Sequence, residues 1–303
     1  MTSNKAEIIP KIYNDLSGFG SIQQTFAEAR KIDKTITLND IKAWKEKNIV
    51  RKTNLPGYNS YVASAPRFEY QVDPFYVNLG EQKFKYGMLA VDIFTKQVEV
   101  VPMMLKDKDN ILAAFYELFK KLGGNPKMVY SDNDTAIDAP IVQKWFEDQG
   151  IKHITTRTHA AQAERQIRTF KDMLEKRMEN NPEEKPWTDF IYPILLTYNH
   201  KMKSSITKFT PHEAKQTDNH MDVKINLELH AKKKRKYPDI NVGDSVRVYQ
   251  KKKIFDKERV PRWTTETYKV DDITEDFGQR FYKVADWTKP FIRHEILKVS
   301  SSG

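Results

Sequence analysis

Three acidic residues stand at positions where carboxylates can act together. Asp92 lies between the apolar Val91 and Ile93, where an aspartate is costly unless it faces a cleft or a metal ion. Asp132 follows a short apolar run at the expected carboxyl end of a strand, and Glu164 opens an expected helix. Sites in open α/β sheets form beyond such strand ends. The order of strand, strand end and helix start therefore predicts that the three acids converge.

Each acid alone has an ordinary explanation. Asp92 could be a strand-end acid, Asp132 a turn residue, and Glu164 an acid that complements the positive end of a helix dipole. Together they form a set of hard oxygen ligands, which Mg²⁺ and Mn²⁺ prefer. Two such ions about 3.5–4 Å apart can activate an attacking oxygen and stabilise a leaving oxygen in phosphoryl transfer. We therefore expect Asp92, Asp132 and Glu164 to be catalytic residues that bind two divalent ions.

Two cations follow Glu164 on the same face of the expected helix. Arg168 and Lys171 stand four and seven residues beyond it, where a DNA phosphate backbone could lie. The alternative is ion pairing along the helix with Glu164 and Glu175; we favour the phosphate contact. A second stripe has the spacing of a buried helix face: Ile167, Phe170, Leu174 and Met178.

Composition and charge narrow the class of protein. The chain has 303 residues, 39% of them hydrophobic, and no cysteine, which excludes disulfides, thiol catalysis and cysteine-based zinc sites. The net charge of +10 divides into +4 for residues 1–65, zero for 66–220 and +6 for 221–303. Basic ends around a neutral middle suggest a polyanion held by the flanks, although surplus lysine also serves solubility. No apolar run or hydrophobic leader indicates a membrane partner or secretion.

The order of elements predicts an α/β fold class with smaller domains at both ends. A strand pair followed by alternating strands and helices indicates an α/β catalytic core over residues 73–220. Residues 1–53 have the pattern of a small helix-turn-helix-like domain, joined to the core by a linker over 54–72. A basic linker over 221–239 leads to a small β-barrel over 240–303, which we expect to bind DNA or chromatin.

Basic and aromatic residues alternate in one loop of the expected barrel, a composition that suits nucleic-acid contact but also a solvated hairpin. The expected DNA contacts are Lys251, Lys252, Lys253, Arg259 and Arg262. Trp263, Tyr268 and Trp287 could form a cage for methyl-lysine, but packing of a small barrel is the favoured use of most of them.

Three segments resemble the acidic motifs of retroviral-type integrases. They are VDIFTKQVEVVPM, YSDNDTAI and HAAQAERQIRTFK. The chain is similar in particular to integrases of Maverick/Polinton-type self-synthesising DNA transposons and related virophages. It shares with them GFGSIQQTF and ITLNDIKAW near the N-terminus and GDSVRVYQKKKIFDKERVPRWTTETYKVDDI near the C-terminus. The resemblance covers nearly the whole chain and implies a ribonuclease H-like core and a chromodomain-like barrel.

The resemblance also implies an activity. Asp92, Asp132 and Glu164 would be the catalytic acids, and Arg168 and Lys171 would contact the DNA end of the element. The enzyme would trim 3′ ends and join them to target double-stranded DNA with Mg²⁺ or Mn²⁺. It would act as a homo-oligomer, a dimer or a tetramer, in the host nucleus or associated with a virion, with chromatin as a further partner.

Two departures from the family and two rival functions stand beside this interpretation. Asp134 occupies a place where the family usually has glycine, so a left-handed backbone is expected there. The zinc-binding module of retroviral integrases is absent, as the lack of cysteine requires. One rival is a ribonuclease H-like nuclease that cuts without joining. The other is a domesticated, non-catalytic protein that binds DNA or chromatin.

Overall fold

The structure is a computed structural model that divides into two compact units, residues 1–55 and 56–303. It describes residues 5–15, 21–48, 61–78, 83–156, 160–180, 185–232, 237–250 and 262–299.

The N-terminal unit contains three helices around a small apolar core. They are α1 (Lys5–Asn14), α2 (Ile22–Ile32) and α3 (Leu38–Asn48). Helix α2 begins with a capping box, because the Ser21 hydroxyl accepts from the backbone of Gln24 while the Gln24 side chain accepts from the backbone of Ser21. Helices α1 and α3 are joined by an ion pair of 2.9 Å between Lys5 and Asp40. A role of this unit in DNA binding stays a prediction.

The second unit is built on a five-stranded mixed sheet. Its strands are β1 (Glu69–Tyr76), β2 (Tyr86–Asp92), β3 (Val98–Met103), β4 (Met128–Asp132) and β5 (Lys152–Thr156). They lie in the order β3-β2-β1-β4-β5. Strands β1, β2 and β3 pair antiparallel, whereas β4 pairs parallel with β1 and with β5. The expected strand pair and the alternation of strands and helices are both present.

Helices cover the two faces of this sheet, each over its own apolar cluster. One face packs against α4 (Lys108–Leu122) and α5 (Pro140–Asp148), and we name it the α4 face. The other packs against α6 (Ala161–Glu179) and α7 (Ile191–Lys201), and we name it the α6 face. The short helix α8 (Pro211–Ala214) and helix α9 (His220–Lys232) complete this part of the chain. The expected buried stripe of α6 is present, since Ile167, Phe170 and Leu174 are buried and Met178 packs beside them.

Strand β1 begins inside the segment that sequence analysis assigned to a linker. The linker was expected to reach residue 72, but Glu69–Tyr76 is the central strand of the sheet. Its apolar residues do not alternate regularly, because Asp73 and Pro74 interrupt the pattern. The pairing with β4 ends at Val72, so Pro74, which has no N–H to donate, lies beyond that ladder.

The C-terminal part of the second unit is a four-stranded antiparallel sheet. Its strands are β6 (Ser245–Val248), β7 (Tyr268–Asp276), β8 (Gln279–Val284) and β9 (Ile296–Lys298), in the order β8-β7-β6-β9. We name it the C-terminal sheet. Tyr268 and Trp287 pack against its core with ring centroids 5.8 Å apart. The closure of this sheet into a barrel stays a prediction.

None of the helices in the described ranges is both long and apolar enough to cross a membrane.

Helix α7 contacts the edge strand β3 through the buried side chain of Asn199. Substitution of this residue tests the packing of α7 against β3. The Asn199 amide accepts from the backbone N–H of Val98 at 3.0 Å and donates to the carbonyl of Val98 at 2.9 Å. We expect Asn199→Ala to lower the free energy of unfolding by about 2–3 kcal/mol, because two buried backbone groups lose their partner. Chemical denaturation measures this loss. Lys201→Ala, at an exposed position on the same helix, should change stability by less than about 0.5 kcal/mol.

Candidate active site

Side-chain alternation along the strands decides which acids share a face of the sheet. On β1, Phe75 belongs to the apolar cluster of the α6 face, whereas Val72 belongs to that of the α4 face. Asp73 therefore projects on the α6 face, because successive side chains of a strand point to opposite sides. On β4, Tyr130 belongs to the cluster of the α6 face, so Asp132 projects on that face as well.

Asp73 and Asp132 lie beside each other at the centre of the sheet. The parallel register pairs Val72 of β1 with Ser131 of β4, so the next residue of each strand is one of the two acids. Neighbouring strands are about 4.8 Å apart. Two carboxylates are thereby held on rigid, adjacent strands where the pairing of β1 with β4 ends.

The first turn of α6 adds the third acid. The backbone N–H of Gln162 donates to the side-chain oxygen of Gln71 at 3.0 Å, which joins the start of the helix to β1 two residues before Asp73. The backbone N–H of Ala160 donates to a carboxylate oxygen of Asp132. These two bonds place Glu164 of the first turn on the α6 face, above the two strand acids.

The pKa of Asp73 reports this convergence. Burial first, and then the negative charges of Asp132, Glu164 and Asp134 in that order, together raise the pKa of Asp73 to about 7. The ammonium group of Lys106 acts in the opposite direction, and Lys106 also forms an ion pair with Asp134. The site is therefore a concentration of like charge in which one carboxyl group keeps its proton until near neutral pH.

The prediction that Asp92 converges with Asp132 and Glu164 is wrong. Asp92 follows Ala90 on the α4 face of β2, and its partner across the ladder is Tyr70, three residues before Asp73. Its carboxylate is buried and accepts three backbone N–H groups, from Arg67 at 2.9 Å, Phe94 at 2.8 Å and Thr95 at 3.1 Å. Asp92 thus organises the turn between β2 and β3.

Asp73 is the strand acid that sequence analysis missed. Both aspartates sit in strands among apolar neighbours, so the same signal was present at Asp73. The apolar pattern around Pro74 is irregular, so the strand that carries Asp73 is difficult to recognise from the sequence. Asp92 lies at the end of β2, which is a more regular apolar run. The two aspartates differ in the face of the sheet on which they project. Asp73 projects on the α6 face with Asp132 and Glu164, whereas Asp92 projects on the α4 face.

The chemistry of the donor set fits a divalent cation, although the side chains are not gathered around one. Asp73, Asp132 and Glu164 offer only carboxylate oxygens, the ligands that Mg²⁺ and Mn²⁺ prefer. Burial and the negative charges of Asp132 and Glu164 raise the pKa of Asp73, and a bound cation would favour its charged form. Within the described ranges, no three histidine or acidic side chains are close enough together to hold a metal ion. Binding would therefore need side-chain movement.

The expected DNA contacts on α6 are exposed. Arg168 and Lys171 both lie at the surface of the helix, and the Lys171 ammonium lies 5.6 Å from the centroid of the Phe75 ring. Both the phosphate contact and the alternative, ion pairing along the helix with Glu164 and Glu175, stay predictions.

Other expected site residues fall in different places. Arg262 is exposed in the C-terminal sheet region, and its carbonyl accepts from the backbone N–H of Gln250. Lys251, Lys252, Lys253 and Arg259 lie outside the described residues. Asp134 does not have the left-handed backbone expected of it; its carboxylate instead accepts from the backbone of Ala136 at 3.0 Å.

Comparison with known proteins places this geometry in context. No protein-family model matches the chain. A putative uncharacterized transposon-derived protein of Caenorhabditis elegans is 24% identical over 189 residues, which are 62% of this chain and 63% of that protein. The chain thus matches less than two thirds of that relative's length.

Solved structures supply the likeness of fold. A chain of the simian T-cell lymphotropic virus intasome, determined in complex with the PP2A regulatory subunit B56 gamma, aligns with a TM-score of 0.61 at 15% identity. The alignment covers 92% of this chain and 96% of that one. The HTLV-2 integrase catalytic core, determined with magnesium, aligns with a TM-score of 0.45 at 22% identity and covers 50% of this chain and 98% of that core.

The class of fold follows from these findings. The chain is a mixed α/β protein whose fold resembles that of a chain of the simian virus intasome over 92% of its length.

The charge cluster predicts a stability change on removal of one acid. The folded pKa of Asp73, about 7, lies above the value of about 4 in an unfolded chain, so its stabilising effect is present below pH 4 and is lost as pH rises through 7. Asp73→Asn abolishes this loss. Without divalent ions, we expect it to stabilise the protein at pH 8 by roughly 2 kcal/mol, after a discount for partial exposure, and clearly less at pH 5. Thermal melts in EDTA at pH 8 and at pH 5 measure the two changes in stability.

Asp92→Asn provides the contrast. An amide has one oxygen fewer, so one of the three backbone N–H groups would face an NH₂ group instead of an acceptor. We expect a loss of about 2 kcal/mol at pH 8. A gain of stability in Asp92→Asn, with a loss in Asp73→Asn, would reverse the assignment of the two aspartates.

Proposed function

We propose that this protein is a metal-dependent DNA integrase that processes 3′ ends and transfers them to target DNA. The observation that carries the proposal is the convergence of Asp73, Asp132 and Glu164 on one face of an integrase-like sheet. The likeness to a transposon-derived protein and to an intasome chain supports it. In this proposal Asp73 takes the place that sequence analysis gave to Asp92.

The roles of the residues follow from their positions. Two divalent ions, Mg²⁺ or Mn²⁺, would polarise the reacting phosphate and lower the pKa of the attacking oxygen. Asp73 and Asp132 would hold them from the strands and Glu164 from the helix. Asp73 carries its proton below pH about 7 and would give it up on binding a cation. The backbone N–H of Ala160 orients Asp132, and Gln71 orients the start of α6 through Gln162.

The proposed substrate is double-stranded DNA from the ends of a mobile element and from a target. Arg168 and Lys171 project from α6 beyond Glu164, and they would bind phosphates that lead into the acid cluster. The basic N-terminal unit and the lysines of residues 251–253 would hold more distant DNA. We propose a self-synthesising transposon of the Maverick/Polinton type, or a related virophage, as the source, and the host nucleus as the site of action.

Joining two DNA ends implies more than one copy of the chain, and we propose a dimer or a tetramer. A groove of about 570 Å³ between β3, α4 and α7 supports this proposal. Tyr192 on its rim is 74% exposed and Leu196 is 39% exposed. A second copy of the chain would cover this apolar surface, which is costly to leave in water.

Variants of the acids test the catalytic proposal. We expect Asp73→Asn, Asp132→Asn and Glu164→Gln each to reduce both 3′ processing and strand transfer by at least about 100-fold, because each removes a charged metal ligand. The assay uses the full chain, a duplex that ends in the element's terminal sequence, and Mg²⁺ or Mn²⁺. Asp92→Asn should retain activity when it is normalised to the folded fraction.

A pre-cut duplex separates the rival functions. An integrase joins this substrate to a target plasmid, whereas a nuclease without joining activity degrades DNA and yields no joined product. Wild-type activity equal to that of Glu164→Gln in every assay would favour a non-catalytic binding protein. Loss of activity in Asp92→Asn but not in Asp73→Asn would refute the proposed acid set.

The path of the DNA along α6 gives a separate prediction. Arg168→Ala and Lys171→Ala should each weaken DNA binding, and each should reduce the slope of log affinity against log salt by about 1. Fluorescence anisotropy over a salt series measures the slope. Lys176→Ala is the matched control, since Lys176 is an exposed cation on another side of the same helix and should leave the slope unchanged. Equal effects of all three substitutions would indicate only a general charge effect.

A further inference from the structure

The C-terminal part of the second unit contacts the edge strand β5 of the core at both ends of the strand. At the start of β5, Lys152 forms an ion pair with Asp276, and its ammonium lies 3.9 Å from the centroid of the Phe281 ring. Phe281 and Ile292 are buried in the same apolar cluster as α6 and α7. The C-terminal sheet therefore completes the hydrophobic core of the α6 face.

At the other end of β5, Thr156 and Glu295 are joined by a buried hydrogen bond. The hydroxyl of Thr156, which is fully buried, donates to a carboxylate oxygen of Glu295 at 2.8 Å. Glu295 lies in a short 3₁₀ turn before β9, and only 2% of it is exposed. Its second carboxylate oxygen accepts from the backbone N–H of Ile292 at 3.1 Å, so the acid is fixed from its own side.

Thr156 is next to the proposed active site. It pairs with Asp132 in the register of β4 and β5, and it projects on the α6 face, as Ile154 does. Four residues later, the backbone N–H of Ala160 donates to Asp132, immediately before the helix that carries Glu164. Thr156 and Ala160 therefore both lie next to Asp132, the first through the strand register and the second through a hydrogen bond.

We propose that Glu295, in the 3₁₀ turn before β9, is a positioning residue for the acid cluster and acts through Thr156. By holding the end of β5, the Thr156–Glu295 bond fixes the strand position that pairs with Asp132, and so the orientation of Asp132 beside the start of α6. Glu295 does not touch substrate in this proposal. The inference deepens the proposed function, on which it rests for the use of the site, and it makes the C-terminal sheet part of the active centre.

The Thr156–Glu295 bond is buried, so loss of the Thr156 hydroxyl would affect the local structure. Removal of the hydroxyl leaves a buried carboxylate oxygen without that donor, which is costly enough to shift the local structure. Partners that orient metal ligands typically change metal affinity by 10–100-fold when they are lost. Thr156→Val removes the hydroxyl at nearly constant volume, whereas Thr156→Ser retains it.

The test measures Mn²⁺ binding to the full chain without DNA, by electron paramagnetic resonance, together with hydrogen exchange of residues 160–170. We expect Thr156→Val to weaken Mn²⁺ binding by about tenfold and to speed exchange in the first turn of α6. Thr156→Ser should match wild type in both. Glu295→Gln should also bind Mn²⁺ as wild type does, because the amide oxygen can accept from Ile292 while the NH₂ group donates to the Thr156 hydroxyl.

A matched control separates positioning from general loosening of the C-terminal sheet. Asp276→Asn removes the ion pair with Lys152 at the far end of β5, roughly 13 Å from Thr156. It should leave Mn²⁺ affinity and exchange in α6 unchanged. If Thr156→Val proves unstable, Thr156→Ala gives the same comparison, because it also removes the hydroxyl donor.

Each outcome bears on one proposal or the other. Wild-type Mn²⁺ affinity and exchange in a folded Thr156→Val variant would overturn the positioning role, whatever the activity on DNA. Equal effects of Asp276→Asn and Thr156→Val would overturn it as well. A wild-type chain that binds Mn²⁺ but neither cuts nor joins DNA would defeat the proposed function, while the Thr156 comparison would still decide the role of Glu295.

Discussion

The crowding of three carboxylates on one partly buried face of the sheet is the constraint on which this structure depends. Asp73, Asp132 and Glu164 share that face, and burial together with the neighbouring negative charges raises the pKa of Asp73. Such a cluster does not stabilise a fold, so other contacts must hold it. They come from the ladder between β1 and β4 and from backbone donors such as Ala160. The clustered carboxylates lower the stability of the folded protein at this site, and such a local loss of stability is typical of functional sites.

Much of the core could be predicted from hydrophobic patterns. The pair β2 and β3, the helices α4 to α7 and the buried stripe of α6 all follow from apolar spacing and turn residues. Strand β1 could not be recognised in this way, because Asp73 and Pro74 interrupt its pattern. Its identity depends on two neighbouring strands that are distant in sequence, and single-sequence patterns contain no information on that pairing.

The candidate site illustrates the same limit at the scale of one residue. Asp132 and Glu164 could be inferred because strand ends and helix starts gather at one edge of an α/β sheet. The choice between Asp73 and Asp92 required the face on which each projects, and a shift of one residue reverses that face. The prediction for Asp92 was wrong for a physical reason. Its buried carboxylate accepts hydrogen bonds from three backbone N–H groups, and such an aspartate has the same sequence pattern as one that binds a metal ion.

The shared apolar cluster has a consequence for how the chain can be divided. Phe281 and Ile292 of the C-terminal sheet are buried together with Leu174 and Trp187 of the core. A fragment that ends after α9 would expose apolar side chains of this cluster to water, and the Thr156 hydroxyl would lose Glu295 as an acceptor. The two sheets of the second unit therefore share one hydrophobic core, and a substitution on either side of the contact affects the packing of both.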